Sequence, residues 1–78
     1  MVAKKMKITV GRFDSLSDVQ VGMVVACPFE EVGVVIATRK PTPGVSEVKV
    51  RITIGTLNDV NSEEVYDYTK LGCICRPF

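Results

Sequence analysis

Along residues 47–54 apolar and polar side chains alternate without a break: Glu47-Val48-Lys49-Val50-Arg51-Ile52-Thr53-Ile54. Val48, Val50, Ile52 and Ile54 fall on one face, and Glu47, Lys49, Arg51 and Thr53 on the other. Strict alternation in a run rich in β-branched residues predicts a half-solvated strand. A helix would scatter those charges around its axis. The stretch Lys5-Met6-Lys7-Ile8-Thr9-Val10 repeats the pattern more briefly, with Met6, Ile8 and Val10 expected to face inward.

Between these lies Val21–Lys40, VGMVVACPFEEVGVVIATRK, two apolar runs flanking Pro28-Phe29-Glu30-Glu31. Met23 to Cys27 and Val32 to Thr38 have strand length. Pro28 cannot donate a ladder hydrogen bond and belongs to the turn between them. Gly22 and Gly33 each precede an apolar run, where glycine suits a bulge or sharp bend. Val34-Val35-Ile36 predicts a central strand covered on both sides. Arg39 to Ser46, RKPTPGVS, has the composition of a loop at a hairpin tip. Past Gly55 no period is sustained. Asn61 or Ser62 is placed to cap one helical or 3₁₀ turn near residues 61–65. The tail, KLGCICRPF, reads as a last strand with Leu71, Cys73 and Cys75 on one side and Ile74 on the other. About five strands with no helix to cover them predict an all-β fold: a small five-stranded SH3-like barrel, or an orthogonal β-meander.

Seventy-eight residues, 46% of them hydrophobic, make a single domain, residues 1–78, near the lower size limit for an unaided core. Three cysteines do not make a disulfide framework. No signal-peptide core follows the N-terminal lysines, and the longest uncharged stretch, Val19 to Phe29, is about half a bilayer span. The cytoplasm is the expected compartment, with no membrane partner. Net charge is +1, a balance that disfavours a dedicated polyanion clamp. Lys4, Lys5, Lys7 and Arg12 nevertheless crowd one end, and Glu63, Glu64 and Asp67 the other.

There is no histidine, which removes the commonest general base and metal ligand. No phosphate-cradling glycine run is present. Asp14 with Asp18, and Glu63 with Glu64 and Asp67, lack the spacing of a calcium loop. Cys73 and Cys75 share a strand face, and Cys27 adds a third thiol, but zinc prefers four ligands. Core packing is the simpler role for all three. The expectation is a non-enzyme without cofactor or metal.

Gly22, Val24, Val25, Gly33, Val34, Val35, Val48, Val50, Leu71 and Ile74 together resemble the small barrels of the Tudor and KOW type over residues 19 to 76. Those barrels open with a glycine-led pair of valine strands, continue into an alternating third strand and close on a Leu-plus-Ile strand. The resemblance implies a binding role toward protein tails, RNA, DNA or neighbouring subunits. The aromatic cage of methyl-lysine readers is not visible, since the chain has no tryptophan.

The leading expectation is a binding module for another protein, an accessory or regulatory factor of bacterial or viral origin. Its candidate contact residues are Phe29, Glu30, Glu31, Arg39, Lys40, Tyr66 and Tyr68. Phe29 either caps a barrel mouth or stands out as a partner anchor. The alternative is a nucleic-acid-binding barrel using Lys4, Lys5, Lys7, Arg12, Arg39 and Lys40. A third reading is a homo-oligomeric structural protein pairing through a sheet edge.

Overall fold

The computed structural model describes residues 9–75, with side chains from Gly11 to Ile74. Within them the alternating run becomes the spine of the molecule. It forms β4, Val45–Ile54, which pairs on one side with β3, Glu31–Thr42, and on the other with β5, Glu63–Tyr66. β2, Val24–Cys27, joins the outer side of β3, and β6, Gly72–Cys75, lies between β2 and β1, Thr9–Arg12. All pairings are antiparallel, in one six-stranded sheet of order β1-β6-β2-β3-β4-β5. Among the described residues no helix is long and apolar enough to cross a membrane.

The core lies on one face of this sheet. β4 contributes Val48, Val50 and Ile52, β2 contributes Val25 and Cys27, and β3 contributes Val35. Leu71 enters ahead of β6, while Phe13 and Val19 cover the face from the β1–β2 connection. Full burial of a valine or isoleucine stabilises by about 1.5–3 kcal/mol, so β4 alone anchors much of the fold.

The all-β class is as expected, and several details differ. The sheet is open, not a closed barrel: β1 and β5 are its two edges. A sixth strand replaces the helical turn expected near residues 61–65. There the Asn61 N–H donates to the Ile52 carbonyl, and the Ile52 N–H donates to the Ser62 carbonyl. This pair draws the segment onto β4, and Glu63 completes the attachment opposite Arg51. The 3₁₀ turns fall instead at Leu16–Asp18, Pro28–Glu30 and Tyr68–Lys70.

The predicted loop at residues 39–46 is mostly strand. β3 runs to Thr42 and β4 starts at Val45, leaving only Pro43 and Gly44 as the turn. The order Pro then Gly, with Gly44 at φ +81°, suits a type II turn. A register irregularity between Arg39 and Thr42 admits Pro41 into the arm.

Two further expectations shift. Val35 is fully buried, but its neighbours Val34 and Ile36 are only half-buried, so β3 is not covered on both sides. Ile54, expected in the core, is exposed. The register slips between Val32 and Gly33, so that Gly33 opposes Ile52 while Val32 opposes Ile54. The bulge turns the end of β4 outward. Met6 and Ile8 lie outside the described residues, as does the side chain of Val10.

Gly33 is what lets β3 and β4 meet at that bulge. A Cβ there would run into the Val50 Cγ1 methyl and come within 2.8 Å of the Arg51 carbonyl oxygen. Gly33→Ala should therefore destabilise by about 1–3 kcal/mol, the usual range for forced overpacking. Gly11→Ala, whose Cβ meets nothing within 4 Å, should change stability by less than about 0.5 kcal/mol. Urea denaturation of both variants checks the contrast.

Candidate functional site

At the end of the sheet where β2 turns into β3 and β4 leads toward β5, two short segments meet. One is the 3₁₀ turn Pro28–Glu30, the other is residues 55–58. Glu31 joins them. It is only 1% exposed, and its Oε2 accepts backbone N–H bonds from Thr56 (2.9 Å), Leu57 (3.1 Å) and Asn58 (2.8 Å). Its Oε1 accepts a fourth bond, from Asn58 Nδ2 at 2.7 Å. Successive N–H groups converging on one oxygen form an anion nest, here filled by the protein's own carboxylate. Gly55 allows the loop to close so tightly, since a Cβ at that position would collide with the Asn58 carbonyl oxygen.

These bonds hold the Glu31 carboxyl below its ordinary value, chiefly through the Asn58 and Thr56 amides. The same negative charge helps to keep the neighbouring Cys27 thiol neutral. Burial first, and Glu31 second, raise that thiol to about 11. Cys27 therefore packs as an apolar group, and Cys73 also packs against the core. Among the described residues no group of three or more potential ligands could hold a metal ion.

The clamp fixes a turn of unusual backbone. Phe29 (φ 62°) and Glu30 (φ 61°) are consecutive non-glycine residues in the left-handed region. Each such residue costs on the order of 1–3 kcal/mol and persists only where the surroundings enforce it. Here the Thr56 hydroxyl donates to the Phe29 carbonyl at 2.6 Å, adding to the bonds made by Glu31. The outcome is an aromatic ring pushed into solvent, with Phe29 70% exposed. Leu57 (71%) stands on the joined segment and Ile54 (58%) just before it. Three large apolar side chains thus project from one rigid tip.

The other predicted site residues scatter. Glu30 is exposed beside Phe29, but Glu31 points inward and is withdrawn from any contact surface. Arg39 and Lys40 lie on the exposed β3–β4 arm, at the opposite end of β3, and Arg39 pairs with Glu47 at 3.4 Å. Tyr66 and Tyr68 are half-buried and packed against the core. Burial above all raises the Tyr66 hydroxyl, and the negative charges of Glu31 and Glu64 add to it. Tyr68 lines a cleft of about 510 Å³ with Phe13, Leu71, Arg12, Asp14 and Thr69. Of the alternative basic set, Arg12 is exposed at the end of β1, and Lys4, Lys5 and Lys7 lie outside the described residues. Sequence reasoning missed Ile54, Leu57 and the clamp itself. Nothing in the spacing of Glu31 and Asn58 announces a bond between them.

Comparison with protein-family models, curated proteins and solved structures finds no match for this chain. The reading of the tip therefore rests on its own geometry.

A second carboxylate does similar work at the other end. Asp67 accepts bonds from the Ser46 hydroxyl and from the Thr69 amide and hydroxyl, which lower it to about 2. For both acids the folded pKa lies below the unfolded one. Their stabilisation is therefore present above the ordinary carboxylate range and is lost as pH falls through the folded values. Stability should be flat from about pH 5 to 7 and should decline toward pH 2. Glu31→Gln should lower the thermal midpoint at pH 7 by at least about 5 °C, even if the Asn58 amide turns to meet the new amide. It should also flatten part of the acid decline. Thermal melts of both proteins from pH 2 to 7 check this.

Proposed function

We propose that this protein is a non-catalytic binding module that contacts another protein through the apolar tip. The observation that carries this reading is Phe29, an exposed aromatic ring held on a locked left-handed turn. Strained backbone is kept where the geometry it enforces is useful. A rigid aromatic anchor loses little conformational entropy on binding, and anchors of this kind dominate the energetics of many interfaces. Leu57 and Ile54 extend the apolar surface around it. Scattered single exposed apolar residues need no explanation, whereas a group on one stiffened structure does.

The described basic side chains offer no comparable focus. Arg39 is matched by Glu47, and Lys49 and Arg51 both face Glu63 at 3.9 Å. Protein contact is accordingly the reading with the stronger support.

Phe29→Ser and Leu57→Ser, singly and together, test it. Both side chains are exposed, so the thermal midpoint should move by no more than about 3 °C. A partner retained by the immobilised wild-type protein from source-organism lysate should be lost from the double variant. Quantified with the purified partner, the loss should be about 30-fold or more, the scale of a hot-spot truncation. Equal retention by wild type and double variant contradicts the reading.

A further inference from the structure

The charge around the tip specifies what kind of segment it fits, and this inference rests on the tip being a binding surface. Residues 24–38 and 52–69, which build β2, most of β3, the two tip segments and β5, contain no lysine or arginine. Their acidic residues divide by position. Glu31 is consumed inside the tip, Asp67 is bonded to Ser46 and Thr69, Glu63 faces Lys49 and Arg51, and Glu64 is half-buried on β5 opposite Val50. Glu30 and Asp59 remain, and both are exposed. Glu30 immediately follows Phe29, and Asp59 closely follows Leu57. Phe29 and Leu57 thus each have a solvent-facing carboxylate within two positions along the chain, with no cation on either segment to neutralise it.

We infer that the tip recognises a peptide segment in which a large apolar residue is flanked by lysine or arginine. Phe29, Leu57 and Ile54 take the apolar residue, while Glu30 and Asp59 meet the flanking cations. Charges at a rim of this kind act mainly on specificity and encounter rate. An acidic segment, or the phosphate backbone of a nucleic acid, would meet uncompensated repulsion here. The fixed backbone adds selectivity, because Glu30 sits on the locked turn and Asp59 directly follows the clamped Asn58.

The experiment uses the full chain, labelled with ¹⁵N, and three synthetic peptides with blocked ends. They are Lys-Lys-Leu-Phe-Leu-Lys-Lys and its serine-flanked and glutamate-flanked counterparts. The lysine peptide should shift the amide resonances of residues 29–30 and 54–60. It should bind at least about fivefold more tightly than the serine peptide at 50 mM salt, an advantage that shrinks at 0.5 M. The glutamate peptide should bind most weakly. In the Glu30→Lys/Asp59→Lys variant the order of the charged peptides should reverse. Equal binding of the lysine and serine peptides at the tip overturns the charge inference while leaving the tip as a binding surface. Resonance shifts centred elsewhere, or none at the tip with any peptide up to about 1 mM, overturn both.

Discussion

One carboxylate, buried among three backbone amides and an asparagine side chain, holds one whole end of this molecule in shape. The interaction is strong because the acceptor is charged and its donors come from consecutive residues of a loop that would otherwise need water for them. It also joins parts of the chain about 25 residues apart. The turn before Glu31 and the segment after β4 therefore behave as one unit. The left-handed backbone at Phe29 and Glu30 exists within that unit, and so does the outward placement of the apolar side chains. An amphipathic sheet with a valine core could have ended in two unrelated loops. Here it ends in a single stiff projection.

The rest of the fold serves that projection from a distance. β3 and β4 form the long central hairpin, and the bulge at Gly33 bends their near end. The bend carries Ile54 out of the core and onto the tip side of the structure. At the far end Asp67 ties Ser46 of β4 to the 3₁₀ turn before β6, a smaller version of the same carboxylate device. Packing between these two clamps is apolar, and Cys27 takes part in it as a neutral group.

Local pattern made much of this architecture readable. The alternation from Glu47 to Ile54 announced β4, Pro28 marked the turn, and Gly33 marked the bulge. Failures came where non-local bonds override local preference. Residues 39–42 are loop-like in composition yet pair across the hairpin. Residues 63–66 have no sustained period, but the backbone of Ile52 recruits the preceding turn and places them beside β4. At the site, Phe29 stands out as an aromatic in a turn, while the local pattern places Glu31 on the same contact surface. Its inward orientation depends on a loop more than 20 residues downstream, and no short-range rule connects the two.

Amide hydrogen exchange at Thr56, Leu57 and Asn58 is the most direct measurement of the clamp. These three N–H groups belong to no strand, so in an ordinary exposed loop they would exchange at close to unprotected rates. If the Glu31 carboxylate organises the tip, all three should be protected at neutral pH, and Glu31→Ala should strip that protection while the amides of β4 keep theirs. Unprotected exchange at the three positions in the wild-type protein, or protection that survives in Glu31→Ala, would contradict the account.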